Sequence, residues 1–223
     1  ISQIQLDEIK LYFNQNTANK ILMTGYNRRF STYIEKLKQI RDKSQNPFIL
    51  NYRVNAGFIN LDNWVHKDEG GGRNIGEGCH FYDIFNFIAD SEIENYSAHS
   101  INIKPTLNNS YGLYTNDDNF VATLKYKNGS ICNLIFTALG NNQFPKESFD
   151  YYQDGKVISM EDFKKMSFFD KKRKNFSTKN NEKGHLQELK AFAHGIKTGK
   201  YPISLNDQIK ACQISLDIDK LIR

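Results

Sequence analysis

Two β-hairpin signals in the middle of the chain constrain its fold more than any other feature. In FVATLKYKNGSICNLIFTAL, alternating apolar residues lie on both sides of Asn128-Gly129, where a type I′ turn needs a positive φ at both positions. FDYYQDGKVISM repeats this arrangement at Asp154-Gly155. Because consecutive hairpins produce antiparallel pairing, we expect a mainly antiparallel sheet rather than a parallel one.

The spacing of apolar residues predicts the other elements. Alternation predicts strands over 48–57 and, around Pro105, over 99–107. Helical spacing predicts amphipathic helices over 2–15, 32–43, 185–199 and 204–223. A short apolar run predicts a strand over 20–27. In the predicted helix over 185–199, one face carries the apolar residues Leu186, Leu189, Phe192, Ala193 and Ile196. The predicted fold class is therefore α+β, an open-faced sheet with helices packed on one face.

The stretch 162–183 is basic and interleaved with phenylalanines. Alternating basic and aromatic residues can grip single-stranded nucleic acid. No recognised RNA-binding motif accompanies the stretch, and the formal net charge of the 223 residues is only +5. A solvated loop whose phenylalanines pack on the sheet is the favoured interpretation, and we expect no nucleic-acid partner.

The cellular setting follows from what the sequence lacks. Cys79, Cys132 and Cys212 are far apart and show no CxxC spacing, which argues against disulfides and a structural zinc site. No apolar run approaches the roughly 18 residues that span a bilayer. We therefore expect a cytoplasmic protein without a membrane partner. The first residue, Ile1, is not a methionine, and we expect a fragment of a longer protein.

The segment GGGRNIGEGCHFYD, residues 70–83, is the candidate site. An apolar stripe with helical spacing starts near the end of this segment and continues beyond it: Phe81, Ile84, Phe85 and Ile88. We therefore expect a buried helix from about residue 77.

Glu77 and His80 then lie one turn apart at the helix N-terminus. The helix dipole disfavours an imidazolium there, so His80 is expected to be neutral and suited to act as a base or polar anchor. Glycines at positions 76 and 78 would let a ligand approach the backbone. The alternative, a glycine-rich turn with a structural histidine, is equally compatible with the spacing.

No metal site is expected from this segment. One His, one Glu and one Cys do not form a tetrahedral ligand set, and His66 or His185 would have to be recruited without any supporting spacing.

Three blocks of the chain resemble the Gfo/Idh/MocA family of NAD(P)-dependent sugar, cyclitol and nucleotide-sugar oxidoreductases. The blocks are LMTGYNRRFS, NYRVNAGFINLDNWVHKDEGGGRNIGEGCHFYDI and GHLQELKAFAHGIKTGKYPIS. The middle block is most similar to the subgroup that carries Arg-x-x-Gly-Glu-x-Cys-His-Phe. The resemblance implies two domains: residues 1–30 as the last helix and strand of a truncated Rossmann domain, and residues 31–223 as the substrate-binding and oligomerisation domain.

The resemblance also implies the chemistry. It suggests NAD or NADP as cofactor, a sugar-like substrate and a homodimer or homotetramer formed through the sheet face. The family's glycine fingerprint and Glu-Lys-Pro lysine would lie upstream of this chain, so the chain alone is expected to be inactive. Non-catalytic alternatives are a sugar-binding or dinucleotide-binding regulator and an assembly domain of the same fold.

Site residues follow from the matched positions. His80 matches the family histidine that takes or positions the substrate proton, and Glu77 is a second catalytic candidate. Many members have an aspartate where Gly76 stands, so the role of Glu77 stays open. The substrate-binding candidates are Arg53, Asn55, Trp64 and Arg73, and the cofactor-binding candidates are Asn27 and Arg28. For Arg53 and Arg73 the alternative is structural pairing with nearby acids such as Asp62, Asp68 or Glu69, and for Trp64 it is the core. Asp83 is a candidate partner for His80 or a turn cap.

Overall fold

The computed structural model describes residues 1–15, 20–101, 114–170 and 173–223. Its centre is one eight-stranded sheet with the order β2-β3-β4-β1-β5-β6-β7-β8. The strands are β1 Ile49–Asn55, β2 Ile93–Ser100, β3 Asn119–Tyr126, β4 Ile131–Thr137, β5 Glu147–Gln153, β6 Lys156–Glu161, β7 Lys165–Phe169 and β8 Phe176–Ser177. All neighbouring strands pair antiparallel except β1 and β4, which are parallel. The predicted mainly antiparallel sheet is confirmed.

The helices are α1 Gln3–Gln15, α2 Thr32–Arg41, α3 Cys79–Ala89, α4 His185–Thr198 and α5 Leu205–Ile222. Buried side chains of α2, α3 and α5 form the core on one face of this sheet, whereas α1 contacts α5 and α4 contacts the 3₁₀-helix Asn27–Phe30. The α3 stripe of Phe81, Ile84, Phe85 and Ile88 is fully buried, and the Phe81 ring lies 5.0 Å from that of Tyr52 on β1. The other face is open and carries exposed apolar side chains: Ile49, Val121, Ile135, Tyr152 and Phe169. Strand alternation therefore produces one buried face and one open face, as expected.

The two predicted hairpin turns differ. Asp154 and Gly155 both have positive φ, 51° and 69°, as a type I′ turn requires. At the other hairpin only Gly129 has a positive φ, so the type I′ prediction there was wrong. The Asn128 side chain donates a hydrogen bond to the carbonyl of Ala89, 2.9 Å away, and accepts one from the backbone of Ser130. These bonds hold Asn128 in a wider turn with a single left-handed residue.

The predicted strand over 20–27 was also wrong. A strand needs a hydrogen-bonded neighbour, and no described strand pairs with this segment. The Gln208 side chain instead accepts a bond from the Thr24 backbone N–H at 2.7 Å and donates one to the Leu22 carbonyl at 3.0 Å. A 3₁₀-helix, Asn27–Phe30, follows. The assignment of residues 1–30 to a dinucleotide-binding domain stays a prediction.

The basic stretch 162–183 is not a plain loop, because it contains β7 and β8. Phe163 is fully buried and Phe176 packs against the core, whereas Phe169 is exposed. The predicted strand over 99–107 is described only to residue 101, and β2 ends at Ser100. The rest of that prediction lies outside the described residues. None of the described helices is long and apolar enough to span a membrane.

One glycine fixes how α4 joins the rest of the protein. Gly184, the residue before α4, has a φ of 85°, and a Cβ there would lie 2.3 Å from the Asn27 carbonyl oxygen and 2.6 Å from the Ser31 nitrogen. Gly199 at the other end of α4 also has a positive φ, 70°, but nothing lies within 4 Å of its Cβ position. Both glycines adopt a left-handed backbone conformation, but only Gly184 lacks the space for a Cβ atom.

We predict that Gly184→Ala lowers the free energy of unfolding by about 3 kcal/mol, because left-handed strain and overpacking both oppose the methyl group. Gly199→Ala, which adds only strain, should cost about 1 kcal/mol. Denaturant unfolding monitored by circular dichroism measures both. Equal losses would show that the contact of Gly184 with Asn27 and Ser31 is unimportant.

Candidate active site

A π-helical turn, Asn74–Gly78, leads directly into α3. Such turns are frequent at functional sites. Here it is fixed by Asn74, which donates to the Ser215 carbonyl at 2.8 Å and accepts from the Tyr82 hydroxyl at 2.8 Å. The turn places Glu77 and His80 at the start of the helix, as the sequence predicted.

The glycines of this segment approach the protein's own chain. A Cβ at Gly76 would lie 3.0 Å from the Gly70 carbonyl oxygen, and one at Gly78 would lie 2.9 Å from the Asn74 Oδ1 atom. Both contacts are with protein atoms, so internal packing already explains these two glycines. The sequence interpretation, that they give room to a ligand, is not needed for them.

His80 is neutral near pH 7. Burial and then the nearby Arg28 guanidinium lower its pKa from 6.5 to about 4. The Tyr26 ring meets the imidazole edge-on with a centroid distance of 5.6 Å. The buried Nδ1 atom has no hydrogen-bond partner among the described residues. The predicted charge state agrees with the structure, but its main causes are burial and Arg28 rather than the helix dipole invoked from the sequence.

A buried carboxylate organises the groups around His80. Glu147, at the start of β5, is fully buried. It accepts two hydrogen bonds from Arg28 at 2.9 and 3.0 Å, one from Lys183 at 2.5 Å and one from the Tyr52 hydroxyl at 2.9 Å. Burial alone would raise the pKa of Glu147, but the two cations outweigh it and lower the pKa to about 2. We call these four residues the Glu147 network.

Sequence reasoning missed Glu147 and Lys183. No motif marks either residue, since one opens a strand and the other ends a basic stretch 36 positions later. Only a fold that brings β5 beside the segment before α4 reveals the pair.

The two cofactor-binding candidates are both held by protein groups. Arg28 belongs to the Glu147 network, and its guanidinium also lies over the Phe81 ring at 5.0 Å. Asn27 donates to the Lys183 carbonyl at 2.8 Å and lies 3.3 Å from the His185 Nε2 atom. His185 is the first residue of α4, as expected for a helix start. A role of Asn27 and Arg28 at the cofactor stays a prediction.

Arg73 and Glu77 form an ion pair with an Nε–Oε1 distance of 2.6 Å. Arg73 is fully buried, donates to the Gly57 carbonyl at 3.1 Å and lies 3.6 Å from the Asp118 carboxylate. Structural pairing thus applies to Arg73, although with different acids from those considered in the sequence. Among the described residues no hydrogen bond joins Glu77 to His80.

Asp83 also has a different partner from His80. The buried Arg29 guanidinium donates two hydrogen bonds to its carboxylate, one of them at 2.9 Å. Burial raises the pKa of Asp83 to about 6 despite this pairing. The ion pair ties α3 to the 3₁₀-helix that carries Arg28.

The remaining substrate candidates lie away from His80. Arg53 and Asn55 alternate with Tyr52 and Val54 on β1, so they lie on the open face, opposite α3. Arg53 donates to the Pro145 carbonyl at 3.0 Å and to the Ser148 hydroxyl at 2.7 Å.

Asn55 donates to the Asn141 carbonyl at 2.7 Å and lines a cavity of about 740 Å³. Trp64 is 63% exposed and not in the core. The structure therefore brings together His80, Arg28 and Asn27, but not Arg53, Asn55 and Trp64.

We predict that Glu147→Gln lowers the free energy of unfolding by about 3 kcal/mol, because removing one partner of a buried ion pair leaves Arg28 and Lys183 uncompensated. Glu161→Gln, an exposed carboxylate on the neighbouring strand β6, should change it by no more than about 0.5 kcal/mol. Denaturant melts of the two variants measure the difference. Similar small effects in both would mean that the network contributes little to stability.

Comparisons with known proteins agree with this architecture. Residues 47–147 match the family model described as the GFO/IDH/MocA C-terminal domain. A search of curated proteins found no match to this chain.

Among solved structures, a putative oxidoreductase from Thermotoga maritima is 15% identical with a TM-score of 0.74, over 99% of this chain and 67% of the other. The UDP-N-acetylglucosamine 3-dehydrogenase GnnA from Acidithiobacillus ferrooxidans is 12% identical with a TM-score of 0.75, over 99% of this chain and 67% of the other.

A putative myo-inositol dehydrogenase from Sinorhizobium meliloti is 13% identical with a TM-score of 0.70, over 99% of this chain and 68% of the other. The chain thus spans about two thirds of the length of these proteins. At such low identity the likeness shows the fold. Together with the match over residues 47–147, it confirms that this chain resembles the Gfo/Idh/MocA family and carries the fold of its C-terminal domain.

Proposed function

We propose that this chain is the substrate-side part of an NAD(P)-dependent oxidoreductase. The reaction is hydride transfer between nicotinamide and a carbinol carbon of a sugar, nucleotide sugar or cyclitol. The observation that carries the proposal is the neutral His80 beside the Glu147 network at the start of α3. Two proteins of the same fold are named as dehydrogenases of a nucleotide sugar and, putatively, of an inositol.

His80 has the chemistry for the proton step. Oxidation of a carbinol releases the hydroxyl proton, which needs an acceptor within hydrogen-bond reach. A neutral imidazole can accept it, and the burial of Nδ1 makes Nε2 the accepting atom in this proposal. Since burial and Arg28 lower the pKa of His80 to about 4, the proton is held weakly and is readily passed on.

The Glu147 network contributes to the charge state of this base. Arg28 is fixed against the Glu147 carboxylate and in turn disfavours the protonated form of His80. A nicotinamide cofactor, when bound, supplies the hydride acceptor or donor. Asn27 and Arg28 are the residues that would lie nearest to it in this proposal.

The decisive variant is His80→Gln in a protein that carries a dinucleotide-binding domain upstream of this chain. Loss of the base should lower kcat by about 10²- to 10⁴-fold with the fold intact. His194→Gln, on an exposed part of α4, is the matched control and should leave kcat unchanged. Steady-state NAD(P)H absorbance measures both. An unchanged kcat in His80→Gln would remove His80 from the mechanism.

A non-catalytic regulator of the same fold is the second candidate. It is favoured by Gly76, which stands where many relatives have an aspartate, and by the full mutual pairing of Arg28, Glu147 and Lys183. Fluorescence titration with NADH distinguishes the two functions. Binding of NADH together with turnover of a sugar or cyclitol supports the enzyme, whereas binding without any turnover supports the regulator.

We also propose that a second copy of the chain covers the open face of the sheet, forming a homodimer or homotetramer. Exposed apolar residues such as Val121 and Ile135 lie next to each other there on β3 and β4, and such a surface is costly to leave in water. Replacing both residues by Asp should convert the assembly to a monomer in light scattering. A monomer before substitution would contradict this proposal.

A further inference from the structure

Three side chains from two distant parts of the chain converge outside the His80 site. His66 ends a short 3₁₀-helix, Trp64–His66, and Asp117 and Asp118 lie in another, Asn116–Asp118, directly before β3. One ligand atom from each of the three residues lies within 4.8 Å of the others. This convergence joins the segment before the π-helical turn to the start of a central strand.

Two of these side chains have unused buried atoms. The Asp118 side chain is 1% exposed, and its Oδ1 atom accepts no hydrogen bond from any described residue. Its other oxygen accepts bonds from Thr115, and the nearest cation to Oδ1, the Arg73 guanidinium, is 3.6 Å away. The buried His66 Nδ1 atom likewise has no partner in the described part of the chain, while Nε2 lies 3.3 Å from the Ile59 carbonyl oxygen. A buried polar atom without a partner is costly.

Carboxylates outnumber the guanidinium groups around these three side chains. Asp117, Asp118 and the nearby Asp219 are buried carboxylates. The guanidinium groups beside them are those of Arg73, which also holds Glu77, and Arg223, which pairs with Asp219 at 2.6 Å. Four carboxylates thus share two guanidinium groups. The Oδ1 atom of Asp219 also lacks a hydrogen-bond partner among the described residues.

Two of the three side chains, His66 and Asp117, reach a cavity, whereas Asp118 lies buried behind it. His66, Asp117 and Asp219 line one cavity of about 860 Å³, with Lys67 and Lys220 also in its wall. Gly72 has a φ of 86°, and a Cβ there would lie 1.9 Å from the Asp117 Oδ2 atom. Only glycine leaves space for this carboxylate.

We propose that His66, Asp117 and Asp118 bind one first-row divalent cation of the Mn²⁺ or Zn²⁺ class. One imidazole nitrogen and two carboxylate oxygens suit such ions. Metal–ligand bonds of about 2.0–2.2 Å place the ligand atoms of a tetrahedral ion about 3.3–3.6 Å apart, so atoms at the 4.8 Å limit must close by about 1 Å when the ion binds. The cation neutralises the carboxylates and links the segment before the π-helical turn to β3. The sequence did not suggest this site because His66 and its partners are about 50 positions apart.

The test is calorimetric titration of the chelator-treated 223-residue chain with MnCl₂ and, separately, ZnCl₂. We expect one equivalent of at least one ion to bind, and Asp117→Asn and His66→Gln each to weaken binding at least about tenfold. Asp68→Asn is the matched control, since this exposed carboxylate lines the same cavity but lies outside the cluster. It should bind as the unsubstituted chain does.

Two further readouts keep the result interpretable. Melting temperatures without metal show whether Asp117→Asn folds, and His66→Gln changes a half-buried turn residue that makes no hydrogen bond through Nδ1. Added metal should raise the melting temperature of the unsubstituted chain and of Asp68→Asn only. Absence of binding, or equal binding by all four proteins, would overturn the proposal.

Discussion

The candidate site depends on the pairing of the buried Glu147 carboxylate with Arg28, Lys183 and Tyr52. The carboxylate lies at the start of a central strand and receives hydrogen bonds from three chain segments: Arg28 after the N-terminal helix, Tyr52 on β1, and Lys183 before α4. A buried charge is tolerated only when it is paired and fully hydrogen-bonded. The pairing therefore restricts where these three segments can lie, and Arg28, fixed in this way, adds to the effect of burial in keeping His80 neutral. The same carboxylate thus holds three segments together and fixes the guanidinium that acts on the pKa of His80.

Local patterns in the sequence predicted much of the fold. Alternation around Asp154-Gly155 and the apolar stripe of α3 depend on neighbouring residues, and both were confirmed. The errors arose where distant residues override local preference. The side chain of Gln208 satisfies the backbone of residues 22–24 in place of a neighbouring strand, and the anchoring of Asn128 to Ala89 changes the turn type.

In the candidate site too, residues close in sequence were predicted, whereas those brought together from distant positions were not. Glu77 and His80 were found because they lie within one turn of helix, whereas the charged groups that act on the pKa of His80 include residues at positions 28, 147 and 183. Alternation along β1 could have indicated that Arg53 and Asn55 face away from Tyr52, but the buried side of the strand was not assigned from the sequence. The glycines before α3 marked a close approach correctly, and only the structure shows that the approaching atoms belong to the chain itself.

The single parallel pair, β1 with β4, has a consequence for folding kinetics. β2-β3-β4 and β5-β6-β7-β8 are two groups of sequentially adjacent antiparallel strands, and β1 is inserted between them. Each group can form from nearby residues, but β1 must pair with residues about 80 to 100 positions away on both sides. Such non-local contacts slow folding because loop closure precedes any gain in contact energy. Docking of β1 is therefore the step expected to limit the folding rate of the sheet.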